Sequence, residues 1–316
     1  MFEHQMRNVM LTLMADITNP GTIIDIPRMF TDDDYVKSYL KNLTDPVVRA
    51  YWEKEMANTS DFHKSEMLGY LVSKVGRFVG NEMMRNIMGQ QKSGFDFRDI
   101  MDNQKILLVN LSKGKTGEEN AKLLGLIVVA KLQMAAMGRA DMAEEDRKDF
   151  YLYIDEFQNF ITDSISTILS EARKYKLDLI VGHQYMGQLV DDKGKADVRD
   201  AILGNVGTMM SGRIGPDDAE ILAKEFAPVF GSYDLINAPQ YSFYTKMLIQ
   251  NQASKPFLMR AHPPEKGNPE LAAAIKQLSR LKYGRDKRIV EAEILERTKL
   301  DQPDKTGSSE ASEATL

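Results

Sequence analysis

The chain contains no cysteine. Disulfides and thiolate metal centres are therefore excluded, and the composition fits a cytosolic setting. No uninterrupted apolar run approaches the ~20 residues that a bilayer-spanning helix needs. Met1 to Met14 is amphipathic but broken by Glu3, His4, Gln5, Arg7 and Asn8, so it is not read as a signal peptide. There is no basic excess: 41 Lys and Arg stand against 46 Asp and Glu, for a net charge of −5. That argues against a broad DNA-binding face, because non-specific duplex binding is driven by clustered cations. Also missing is a glycine-bracketed phosphate loop ending in Lys and Ser or Thr. The near match is Val109 to Thr116, which begins inside a predicted strand 105–110 and precedes a predicted helix 118–137. There the first glycine is replaced by Val109, and a β-branched residue is poorly suited to a loop whose amides wrap a phosphate. Gly114-Lys115-Thr116-Gly117 is read instead as a strand-to-helix turn.

What is present is ordinary in bulk and specific in one place. With 316 residues, 43% hydrophobic and 28% charged, the chain can form one large or two small domains. The specific place is Phe150-Tyr151-Leu152-Tyr153-Ile154-Asp155-Glu156-Phe157-Gln158. Tyr, Ile and Phe favour a pleated, packed surface. A continuous apolar run predicts a strand covered on both faces, as in a parallel sheet flanked by helices. Ligands of such sheets lie beyond the carboxyl ends of the strands. Two carboxylates at that tip call for a counter-charge, which Mg²⁺ and a polarised water would supply. In that reading Asp155 holds the metal, often through water, and Glu156 orients and deprotonates the attacking water. The alternative is a strand that ends in a solvated acidic turn.

The following residues extend the pattern. Ile165, Ile168, Leu169, Ala172 and Tyr175 recur at helical spacing, with Thr162, Asp163 or Ser164 as N-cap. Leu177 to Gly182 then reads as a second strand ending at His183-Gln184. In ATPases of the additional-strand type this second tip carries a polar sensor of the γ-phosphate or lytic water. Gln184 suits that role because an amide both accepts and donates; the alternative is an ordinary loop glutamine. His183 is read as structural or solvated.

Leu152 to Phe160, Ser170-Glu171-Ala172-Arg173-Lys174-Tyr175 and Gly182-His183-Gln184-Tyr185 resemble the type IV secretion coupling proteins. These are the TraG/TraD-like ATPases of the HerA–FtsK group of DNA-pumping motors. Weaker likeness extends to His4-Gln5-Met6-Arg7-Asn8, Ile23 to Pro27, Asp200 to Thr208 and Tyr283-Gly284-Arg285. The resemblance implies ATP and Mg²⁺ as cofactors, DNA and secretion-complex proteins as partners, and a homo-hexameric ring. It also implies an arginine that reaches a neighbouring subunit's γ-phosphate, and the matching position is Arg173. Arginine fits because its planar fork stays charged and binds phosphate oxygens in pairs. Arg213 is a weaker candidate for a second interfacial contact. In that family the phosphate loop lies upstream of the region resembling Met1. The chain is thus expected to be a C-terminal, split or truncated form that alone does not hold ATP well, with any membrane anchor lying outside it.

The expected fold class is α/β, with a doubly wound, mainly parallel, partial RecA-like sheet and a helical subdomain. Residues 1–100 read as helical, with an apolar stripe Met6, Val9, Met10, Leu13 and Met14. Pro20-Gly21 breaks that helix, Ile23 to Ile26 reads as extended, Thr31 as an N-cap, and Asp45-Pro46 as a helix start. Residues 101–262 alternate strands (105–110, 150–155, 178–183, 206–211) with helices (118–137, 164–176, 195–203, 216–226), and 242–249 and 256–260 read as late strands. Residues 263–300 form a helical extension, where Lys276, Arg280, Lys282, Arg285, Lys287 and Arg288 read as a solvated basic face, the alternative being a contact with nucleic acid or a partner protein. Residues 301–316 are polar and expected to be disordered. Two functions stay open: part of an ATP-driven motor, or a non-hydrolysing adaptor that keeps the fold.

Overall fold

The computed structural model describes residues 2–161, 171–190 and 193–300. The predicted N-caps at 162–164, most of the helix 164–176 and the tail 301–316 lie outside the described residues. Two compact units emerge: residues up to Gly94 together with those from Pro269, and Phe95–Asn268.

The first unit is helical. Its principal helices are Phe2–Leu13, Asp33–Leu40, Asp61–Gly80, Glu82–Met88 and Lys287–Thr298. The apolar stripe divides: Val9 and Leu13 are buried with Tyr39, Tyr51 and Trp52, whereas Met10 and Met14 are exposed. Asp45 caps the helix that begins at Pro46 by accepting from the amides of Val47 and Val48. The cap of Asp33–Leu40 is Asp32 and not Thr31, since the Asp32 carboxylate accepts from Tyr35 N at 3.0 Å. Ile23–Asp25 is a 3₁₀ turn rather than extended chain, because Thr22 and Asp25 cap one another. The fully buried Asp25 then accepts from Arg297 Nε at 2.9 Å, and Arg297 Nη2 donates to the Gly89 carbonyl at 2.7 Å. Val290 and Ile294 pack beside Ile24. The C-terminal helix is therefore locked into the N-terminal core by an ion pair whose two charges satisfy each other. The helix Pro269–Tyr283, which carries Lys276, Arg280 and Lys282, has no buried residue.

The second unit holds the sheets. Strand β1 (Phe150–Ile154) runs parallel to β2 (Leu177–Val181), pairing Phe150 with Leu177 through Ile154 with Val181. Strands β3 (Met209–Ser211), β4 (Ser242–Lys246), β5 (Leu248–Ile249), β6 (Gln252–Ala253) and β7 (Phe257–Arg260) follow. They form an antiparallel sheet in the order β3-β4-β7 and a small β5-β6 hairpin. The doubly wound expectation is thus met only in its parallel β1-β2 pair. The late strand β4 takes β3 as its antiparallel neighbour, so the segment 206–211 does not extend the parallel pair. Residues 106–110 carry strand composition but join no ladder among the described residues.

Coverage of β1 also departs from the sequence reading. Ile154 is buried and Phe150 and Leu152 pack on the core, but Tyr151 and Tyr153 are 60% and 73% exposed. The Tyr151 and Tyr153 face is therefore uncovered among the described residues. Beneath lies the helix Glu118–Gly138, with Ala121, Gly125, Val129, Leu132 and Ala136 inward. Contrary to the count of apolar runs, the stretch Glu118–Asp141 is long and apolar enough, by length and composition, to cross a membrane. The fully buried Arg139 after this helix fixes where both strands begin. Its Nε donates to Asp102 Oδ1 at 2.9 Å, and its Nη1 donates to the carbonyls of Lys148 at 2.8 Å and Tyr175 at 2.9 Å.

Candidate functional site

Because β1 and β2 are parallel and in register, their carboxyl ends lie side by side. Gly182 N donates to the Ile154 carbonyl, and Phe157 N to the Gly182 carbonyl, both at 2.9 Å. Between these bonds the chain turns through Glu156, whose φ of 50° and ψ of 46° are left-handed. A non-glycine residue there carries a backbone cost. It is held by the fully buried Phe157 on one side and by Asn159 Nδ2, which donates to the Glu156 carbonyl at 3.0 Å. The turn leaves Asp155 exposed at the rim and Glu156 half-buried beside it.

The Glu156 carboxylate bridges the two strand tips. Its Oε1 accepts from Gln184 Nε2 at 2.7 Å and its Oε2 from Gln158 Nε2 at 2.5 Å. These two amide donors, Gln158 foremost, hold the carboxyl below its usual value, and the charge of Lys113 adds to them. Glu156 is therefore an ionised acceptor at neutral pH, with an orientation set by two neighbours. Asp155 Oδ1 accepts from Glu156 N at 3.0 Å. His183, beside Gln184, has Nε2 3.3 Å from Met186 Sδ, and burial pushes its pKa down against the opposing charge of Asp218.

Among the described residues no group of three or more His, Cys, Asp or Glu could hold a metal. The pair Asp155 and Glu156 fits the other mode of divalent binding. There Mg²⁺ keeps several waters and is held by one or two carboxylates together with substrate phosphates. Both residues line a cleft of about 1060 Å³ whose walls are residues 105–111, the helix Glu118–Gly138 and β1. Asp155, Glu156 and Gln184 are brought together. Arg173 is not: it is exposed on the 3₁₀ turn Ala172–Tyr175, which precedes β2. Five strand residues at ~3.3 Å each put it ~17 Å from the tips within one chain. Arg213, exposed just beyond β3, does not line the cleft either. Gln158 and Lys113 were not singled out from sequence. Gln158 stood in the quoted motif, but only the left-handed turn at Glu156 folds it back onto the carboxylate.

An acid pair and an amide donor thus meet at the tips of a helix-backed pair of parallel strands. Among solved structures the chain is similar to plasmid coupling protein TrwB in complex with ADP and Mg²⁺, with a TM-score of 0.56 and 14% identity over 85% of this chain and 65% of that one. It is also similar to the unbound bacterial conjugative coupling protein TrwBdeltaN70, with a TM-score of 0.53 and 16% identity over 80% of this chain and 61% of that one. The chain thus spans about 61–65% of the length of these structures. At such identity the likeness is one of fold. No curated protein matches. Residues 149–259, the segment that carries both strand tips, match the family described as the TraM recognition site of TraD and TraG. Over that segment the chain is TraG/TraD-like, as its motifs imply.

Proposed function

We propose that the chain is the acid-and-sensor part of an ATP-driven coupling motor of the conjugation type, acting within a hexameric ring that moves DNA or a protein substrate. The observation that carries this reading is the Glu156–Gln184 bridge at 2.7 Å across the tips of two parallel strands. Asp155 would hold Mg²⁺, which would supply positive charge against the phosphates. Glu156 accepts a hydrogen bond from the attacking water and takes its proton. Gln184 releases one bond to Glu156 and turns its amide to the water or the γ-phosphate. Arg173, at the far end of β2, serves the phosphate of an adjacent subunit. The phosphate-cradling loop comes from outside these 316 residues, which contain no such motif. Fold similarity to TrwB solved with ADP and Mg²⁺ supports the cofactors proposed. A membrane link, like the DNA and secretion-complex partners, follows from the coupling-protein reading.

The test is ATP binding and turnover by the assembled motor. Glu156→Gln is expected to retain nucleotide and lose turnover by roughly 100-fold or more, the usual scale of a general base. Turnover near the parent level would refute the role given to Glu156. The lack of a phosphate loop favours a second reading, a non-hydrolysing adaptor that docks a TraM-like partner through residues 149–259. An assembly that engages its partner normally but never binds ATP would select it.

A further inference from the structure

Two amide side chains hold the Glu156 carboxylate, and they are not alike. Gln184, which donates to Oε1 at 2.7 Å, is exposed. Gln158, which donates to Oε2 at 2.5 Å, is half-buried. Its own Oε1 is sealed from solvent and has no hydrogen-bond partner among the described residues. A sealed, unpaired amide oxygen costs free energy, and a leucine of similar size would avoid that cost. Packing alone therefore does not account for a glutamine here. What the amide gains is its bond to Glu156.

The backbone fixes that bond. Phe157, fully buried, anchors the chain between the two residues, and its N donates to the Gly182 carbonyl at 2.9 Å. Asn159 donates to the Glu156 carbonyl from both its backbone N and its Nδ2, each at 3.0 Å, which closes the turn behind Gln158. Gln158 thus grows from a backbone fastened to both strands. Its amide orientation is set as well. Turning it over would place its oxygen against Glu156 Oε2, two acceptors with no proton between them. The opposite arm is held differently. Gln184 is tied through its backbone N, which donates to Gln188 Oε1 at 3.1 Å, so its side chain can leave Glu156 while the loop stays in place.

We infer that Gln158 is a positioning residue, the fixed arm that keeps Glu156 aimed while Gln184 swings away to water or phosphate. The inference rests on the catalytic reading of Glu156. Once Gln184 releases Oε1, Gln158 is the one side-chain donor left on the carboxylate among the described residues. Oε1 is then open to the attacking water, while Oε2 stays bound and the carboxylate keeps its plane. The same bond acts on charge. Gln158 is the foremost of the groups that hold the Glu156 carboxyl below its ordinary value, so it keeps the base ionised ahead of the step.

Two substitutions of similar size test this. Gln158→Leu removes the donor, and Gln158→Glu sets a like charge in its place. The first measurement is a carbon-13 NMR titration of the Glu156 carboxyl in the 316-residue chain without nucleotide. The titration should move to higher pH in Gln158→Leu and further in Gln158→Glu. An unmoved titration in both variants would overturn the inference. The second measurement is turnover by the assembled motor. Gln158→Leu should lower kcat by about 10- to 100-fold, the scale of a misplaced reacting group. KM should stay unchanged, and the acidic limb of kcat should move to higher pH. Parent-level kcat with an unmoved limb would overturn the inference as well. The two failures separate. Parent-like turnover by Glu156→Gln overturns the catalytic reading, and the positioning role with it. An inactive Glu156→Gln beside a parent-like Gln158→Leu overturns the positioning role alone.

Discussion

The two units solve the problem of buried polarity in opposite ways. In the helical unit the buried Asp25 pairs with the half-buried Arg297; Thr22 contacts both, Tyr35 donates to Asp25, and Arg297 donates to the Gly89 carbonyl. Burial and the adjacent Asp25 charge push the Tyr35 pKa up, so its hydroxyl stays a neutral donor. In the α/β unit the charged groups of the site stand at a rim, and one strand edge beside them has no partner among the described residues. The first unit spends its ionic groups on closure. The second keeps its carboxylates and one strand edge available, which is what a site that must take and release a ligand requires.

The largest effect expected is at the closed unit. Arg297→Ala leaves Asp25 charged and buried, and should cost about 3–5 kcal/mol of that unit's stability in denaturant unfolding. A cost below about 1 kcal/mol would mean that the pair is not what holds the C-terminal helix. Next is the buried cation of the open unit. Arg139→Ala removes the group that ties the starts of β1 and β2 to Asp102, and about 3 kcal/mol is expected. Loss of β1-β2 amide protection would accompany it, and intact protection would contradict the anchoring role. Gly125→Val drives a side chain into Phe160 and Leu111 and should cost about 1–3 kcal/mol by overpacking. The smallest effect is one of pH. Burial lowers the His183 pKa below its ordinary 6.5, so the folded state binds its proton less readily than the unfolded chain. Stability from this group is full above that value and is lost as pH falls through and below it. His183→Gln should flatten the fall in unfolding midpoint between about pH 7 and 5; an unchanged slope would remove His183 from that account.

Local chemistry was the part of the fold legible in the sequence. The capping pair Asp45-Pro46, the helix Pro216–Phe226 and the strands ending at Asp155 and Gly182 all follow from neighbours a few residues apart. Long-range partners were not legible. No local pattern joins Asp25 to Arg297, and nothing in 105–110 announces that its strand composition would face a cleft instead of a ladder. Thr31 lost its cap to Asp32 because a carboxylate one residue later had the better reach to Tyr35 N. At the site, the acid pair and the amide were readable from strand tips, and their contact through Glu156 was not, since it depends on one left-handed residue. Which end of β2 bears Arg173 emerged only from the parallel register.

That last point gives the most direct test. Arg173 sits ~17 Å from Glu156 along one sheet, so the proposed motor requires it to act on a neighbouring subunit's phosphate. Motors assembled from Arg173→Ala subunits alone, or from Glu156→Gln subunits alone, should be inactive in ATP turnover. A mixture of the two should recover part of the activity, because some interfaces then pair an intact Glu156 with an intact Arg173. Inactivity at every mixing ratio, or parent-level turnover by the Arg173→Ala assembly, would contradict the account.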